Sequence, residues 1–580
     1  FKSAASADNT ITLSEIEFAA DTSIQTNTRK LTFDVTTISG TGKTISLSSG
    51  SKADLKAGSI VSPAVSDSGT ITCIGAVTFN DAVVNTNGAI TCNGAATFKG
   101  AYSGSGASLT LSSGTSLFES DLDLSGTTFS HSNGTVQIGG SATGKVTIKG
   151  PQNFNNFETS RSLIIYGTNS FNDFTATNLG GKSLSFEAGK TQNINGNLSL
   201  SGTSSSSLLT LKNEGSGSWT INCSNPSISN VNVINSTSTN SIVAIDSKDS
   251  GHNTNWNFPG QEYTWTGNSS NDWNTAANWS PESIPGFGTK VTINPATNHP
   301  ILTGALSLNQ TYNSTDYTGQ IIVAENAKFD LADKTLTVGT IINNGTVRLN
   351  GIANQITLPC TISNGTEVST VEYYDTTSVL DSTKLVWGTT YKNLIINKPA
   401  SLDDVVLSVS NTTTIKPGTG KNVSLNNPAN SFGGTITLDA GAVILNSSSD
   451  ITIAANSLAD SLSVTCADGK TININKITTT GAQTFDGAVT VASNTTLTAG
   501  STSLIYFKKT VTGSNPLTIS TANSQFDGAV TNLASLTTAA STSFNANINN
   551  VGTLSTAKAN INCASVSTTG TQSYGGAVTV

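Results

Sequence analysis

Between residues 71 and 127 the chain repeats itself on a period of nineteen residues. Ile71-Thr72-Cys73 is followed by Ile90-Thr91-Cys92 and then by Leu109-Thr110-Leu111. Phe79, Phe98 and Leu117 fall in a second apolar column, and Gly75, Gly94 and Ser113 in a turn column. A fixed period of this length, with turn residues between repeated apolar positions, is the signature of a solenoid. Within each row the apolar residues alternate, so Ile71 and Cys73 point inward and Thr72 outward on a β-strand. They do not recur at three and four, which argues against a helix. If each row is one coil, like residues stack at about 4.8 Å and each apolar column is buried against its neighbours. The predicted core here is Ile71, Cys73, Phe79, Ile90, Cys92, Phe98, Leu109, Leu111 and Leu117.

A repeat array is also what the length requires, because 580 residues exceed what one compact core usually holds. Charged residues make up only 11%, against about a quarter in ordinary soluble domains. Ser, Thr and Asn supply the polarity instead, which suits sheet faces and tight turns. Hydrophobic residues are 36% and strictly patterned, so the chain does not read as disordered. A net charge of −8 with no basic stripe argues against nucleic acid as a partner. No stretch is long enough to span a bilayer. None of the six cysteines forms a CxxC pair, so no zinc site or other cofactor is expected. Cys73 and Cys92 share an inward column and read as neighbouring buried thiols, with a disulfide as the alternative. The chain starts at Phe1 and has no Met, and so reads as a mature or excised piece.

Four segments are expected. Residues 1–258 read as a β-solenoid. Residues 259–300 form a junction module that holds Trp265, Trp273 and Trp279 and five of the thirteen Pro. Residues 301–470 return to strands. Residues 471–580 carry a second repeat, in which Thr479-Thr480-Gly481-Ala482-Gln483-Thr484-Phe485 recurs as Thr568-Thr569-Gly570-Thr571-Gln572-Ser573-Tyr574. Gly487-Ala488-Val489 recurs after it, and again behind Phe526. This phrase places Phe485, Phe526 and Tyr574 in the repeat core. It resembles the repeats of filamentous-haemagglutinin-like bacterial adhesins. That resemblance implies a right-handed parallel β-helix, secreted and held at the bacterial cell surface. The pattern around the three Trp resembles a junction module of bacterial extracellular proteins and likewise implies export. The Trp rings have two readings: a sugar-stacking platform, or a plug that glues two segments together.

Catalytic signals are sparse. The three His, at 131, 252 and 299, adjoin no nucleophile motif, and His252 and His299 read as turn residues. Asp121 and Asp123 flank Leu122 and face outward together on a strand. The three Arg, at 29, 161 and 348, adjoin no acidic cluster in sequence. The expectation is a non-catalytic, adhesin-like or structural protein that presents an elongated surface to host or matrix glycans or proteins. Fully wound, it would be on the order of 14 nm long at one rise of about 4.8 Å per coil. Two alternatives stand beside it: a self-assembling filament or sheath subunit that associates through flat faces or solenoid ends, and a polysaccharide lyase or hydrolase.

Overall fold

A computed structural model describes residues 8–580, apart from 27–28, 36, 40–43, 48–50, 56–58, 62–63, 142–143, 358 and 376–377. The protein is all-β with 1% helix, a parallel stacked solenoid of about 27 turns in the class of the right-handed parallel β-helix. It divides into two compact units, Phe1–Tyr263 with Trp279–Thr289, and Thr264–Asn278 with Lys290–Val580. The stretch 259–300, expected as a module of its own, is therefore shared between the units, while 301–470 and 471–580 lie in one. Strand pairing explains this. Lys290–Ile293 pairs in parallel register with Gln320–Val323 as one more rung of the second unit.

In the first unit the coils lay down two parallel sheets, of 17 and 13 strands. The 71–111 repeat sits as the sequence implies. Ile71, Ile90 and Leu109 are successive Cα partners, as are Thr72, Thr91 and Thr110. Leu111 is buried, and so are Cys73 and Cys92, which are Cα partners with free thiols. The hydrogen bond to the Cys92 thiol, with burial, pushes the Cys73 thiol well above its ordinary range. Backbones cross closely at the turn column: a Cβ on Gly94 would lie 2.4 Å from the carbonyl carbon of Gly75. Many other corners are turned by Asn at positive φ, among them Asn87, Asn178, Asn230 and Asn550, at 55°, 59°, 53° and 56°. Asn tolerates this left-handed region better than most residues.

Leu117 is a correction. It pairs with Thr97 and is only half-buried, while Phe118 pairs with Phe98 and fills the core. One extra residue in the bend between the strands Tyr102–Thr110 and Thr115–Phe118 lengthens that coil to twenty. The strand period of two then sends Leu117 to the outer face. Phe79, Phe98 and Phe118 stack with centroids 4.9 and 4.7 Å apart.

In the second unit, a 26-stranded sheet begins at Lys328–Asp330. Phe485, Phe507, Phe526 and Phe544 are successive partners and stack at 5.2, 4.8 and 5.4 Å. Each such ring pair is worth about 0.5–1.5 kcal/mol beyond its buried area. Tyr574 does not extend this column. It pairs with Thr556, below Thr538, and is only partly buried. The reason lies in what the repeated phrase encodes. Thr479 Oγ1 donates to the Gly481 carbonyl at 2.6 Å, and Gln483 Nε2 donates back to Thr479 Oγ1 at 3.2 Å. Thr568, Gly570 and Gln572 make the same two bonds, at 2.9 and 3.2 Å. The phrase builds a corner, and the two copies serve different columns of the coil.

Inside the first unit Asp67 is fully buried beside its Cα partner Asn85. Asp67 Oδ1 accepts the Gly69 N–H at 2.8 Å, whereas Asp67 Oδ2 and Asn85 Oδ1 have no donor. Burial pushes the Asp67 carboxyl up to about 6, against the downward pull of the Gly69 N–H.

Two predictions follow from this packing. Phe118→Ala costs about 3–5 kcal/mol and Leu117→Ala less than about 1 kcal/mol. Native-state hydrogen exchange in the strands Ala96–Phe98 and Thr135–Ile138 reads the difference. For Asp67, a raised folded pKa means that folding favours the protonated form. The Asp67 contribution to stability is therefore fully present below about pH 4 and is lost as pH rises through about 6, by about 3 kcal/mol. Asp67→Asn, which supplies a donor towards Asn85, removes that part of the pH dependence in urea unfolding at pH 4 and pH 7.

Candidate functional site

The side chains that the sequence singles out for binding are inside. Trp265, Trp273 and Trp279 are 1%, 1% and 3% exposed. Trp265 Nε1 donates to the Asn298 carbonyl at 2.8 Å, and the Trp273 ring lies 5.5 Å from Phe329. A sugar-stacking platform needs a bare ring face, so the packing role is the one these residues fill.

What faces outward is a set of neutral polar columns. Thr452, Asn473, Thr490, Thr512, Thr531 and Asn549 are successive Cα partners. So are Thr496, Thr518, Thr537, Ser555 and Ser573. Each column alternates with an apolar inward one, such as Ile472, Val489, Val511, Val530 and Ile548. The result is a grid of hydroxyl and amide groups spaced at about 4.8 Å along the coil axis.

Among the described residues, one compact ionic cluster has no counterpart in the sequence reading. Asp330, Arg348 and Glu372 are successive Cα partners. Arg348 Nη1 meets Asp330 Oδ2 at 2.5 Å and Nε meets Glu372 Oε2 at 2.9 Å. The Tyr374 hydroxyl donates to Asp330 Oδ1 at 2.7 Å, and the guanidinium carbon sits 4.0 Å from the centre of the Tyr374 ring. Burial, reinforced by Asp330, drives the Tyr374 phenol above its ordinary range. His299 is held below its usual value by burial and by Lys328. Arg348 thus neighbours two acids, contrary to its sequence context, because their separations of 18 and 24 residues match the local coil lengths. The single guanidinium bridges both carboxylates, so the arrangement staples three coils.

The remaining candidates fall into place around these columns. Arg161 is buried and donates to the carbonyls of Glu119, Gly139 and Gly144. His252 turns a corner at φ 56°. Asp121 and Asp123 flank buried Leu122 as expected, and Asp123 pairs with Lys149 at 2.8 Å. Among the described residues, no group of three or more His, Cys, Asp and Glu could hold a metal ion. No helix among them is long and apolar enough to cross a membrane. Comparisons with family models, curated proteins and solved structures find no match.

Arg348→Ala tests the staple. It leaves Asp330, whose side chain is 3% exposed, as an uncompensated buried charge, at a cost of about 3–5 kcal/mol. Hydrogen exchange should show the loss concentrated in the strands Lys328–Asp330, Thr346–Leu349 and Thr370–Tyr374.

Proposed function

We propose that this protein is a non-catalytic, adhesin-like attachment protein of the bacterial cell surface, whose outer columns bind glycans through many weak hydrogen bonds. The observation that carries the reading is the run of outward Thr, Asn and Ser partners along successive coils. Hydroxyl and amide groups donate and accept at once, so they suit ligands that are themselves arrays of hydroxyls. Export and surface attachment rest on the resemblance of the corner phrase to bacterial adhesin repeats and of the Trp-rich stretch to a junction module of bacterial extracellular proteins. A second reading, glycan cleavage, is favoured only by Asp121 and Asp123 beside Lys149. There Asp121 accepts the Thr147 N–H, and Asp123 also accepts the Ser125 hydroxyl at 2.6 Å.

A glycan array probed with the whole chain, coupled to chromatography of each bound glycan after prolonged incubation, separates the readings. The expected result is retention of glycans with their length unchanged. Shortened or unsaturated products would establish cleavage, and an array without any binding would overturn attachment.

A further inference from the structure

With the Trp rings buried, glycan recognition needs another aromatic surface, and the first unit has one. Asp123, Lys149 and Tyr166 are Cα partners in three successive coils. Tyr166 follows buried Ile165 and so projects outward, partly exposed. Beside it runs a groove of about 530 Å³, lined by Thr147, Lys149, Pro151, Tyr166, Glu187 and Lys190 among others. That volume lies within the range of small-ligand sites.

Gly150 and Gly167 also line the groove. A Cβ on Gly167 would meet the Gly150 carbonyl carbon at 2.9 Å, and one on Gly150 would meet Asn169 Oδ1 at 2.1 Å. Backbone and buried side chains pass too closely for a side chain at either place, so neither position adds one to the groove. The polar walls are held in position. Lys149 Nζ is fixed by Asp123 at 2.8 Å, yet half of its side chain is exposed. Glu187 Oε2 accepts the Gly167 N–H at 2.7 Å, which leaves its other oxygen to accept from a ligand. The Thr147 backbone is tied to Asp121 at 2.7 Å.

We infer that this groove is a subsite for a pyranose chain, with the Tyr166 ring under one sugar face and with Lys149, Glu187 and Lys190 on its hydroxyl or carboxylate groups. An aromatic face covers the C–H face of a sugar while fixed donors and acceptors take its rim. The inference rests on the attachment reading above and gives it a location.

The test uses the whole chain with two probes of equal length, a neutral β-glucan hexasaccharide and an oligogalacturonate. Tyr166→Ala should weaken binding of the preferred probe by about tenfold or more, while Tyr166→Phe, which keeps the ring, stays close to the parent. Lys190→Gln should weaken only the oligogalacturonate if the ligand is acidic, and neither probe strongly if it is neutral. Hydrogen exchange on the unmutated chain gives a readout independent of any variant's folding. Saturating probe should protect amides at 147–150 and 163–167. Binding that survives Tyr166→Ala, or protection confined to other coils, overturns the groove and leaves the attachment reading intact. A parent chain that binds neither these probes nor any arrayed glycan overturns both.

Discussion

Parallel register is the constraint on which the rest of this structure depends. Each residue of a strand sits about 4.8 Å from its partner in the next coil. Whatever chemistry occupies a position therefore meets the chemistry of that position above and below. Inward positions respond with columns of like apolar groups: Ile71, Ile90 and Leu109 in one unit, Val489, Val511 and Val530 in the other. Aromatic columns gain further, since rings at that spacing stack, as Phe98 does on Phe118 with planes 2° apart. Stability in such an array is a sum of neighbour terms, so each filled column supports only the coils it touches.

Corners carry the variation that columns cannot. Coils differ in length because residues are added at bends, as between Thr110 and Thr115, or in excursions such as the Ser204–Ser207 bridge. Those bends need left-handed backbone or local side-chain bonds. Asn at positive φ supplies the first, and the Thr-Thr-Gly-x-Gln corner supplies the second. The Asn, Ser, Thr and Gly richness of the chain is in large part the composition of its corners and of its outer grid.

This division explains what could be read in sequence. Ile71 through Leu111 were legible because two consecutive coils happen to share one length, nineteen residues. One residue later the period slips, and Leu117 is taken for a core position that belongs to Phe118. Tyr574 was misplaced for a different reason: its phrase conserves hydrogen bonds within a corner, not a place in a column. Trp265, Trp273 and Trp279 carry no signal that separates a buried ring from a bare one, because both need an aromatic among polar neighbours. Neither the Arg348 trio nor the Tyr166 groove has a sequence signature. Their members come together only through coils of unequal length, and a one-residue error in any coil turns a side chain to the other face.

The same register accounts for the scarcity of charge. Two like charges at about 4.8 Å repel by roughly 1 kcal/mol in water and several times that near a protein surface. A column of repeated Asp or Lys would incur that penalty at each rung, whereas a column of Thr or Asn incurs none and gains hydrogen bonds. Asn562 donates to Asn545 at 2.8 Å, and Asn545 to Asp527 at 2.7 Å. Several of the charges that do enter meet the opposite sign in a neighbouring coil, although Glu187 pairs with Glu214 and Lys30 with Lys52. Asp330, Arg348 and Glu372 follow one another, as do Asp123 and Lys149, and Asp486 pairs with Lys508. A neutral hydroxyl-rich exterior is thus the outcome of stacking before any ligand is considered. Above Lys149 the next partner is Tyr166 and not an acid, and a groove runs beside that ring.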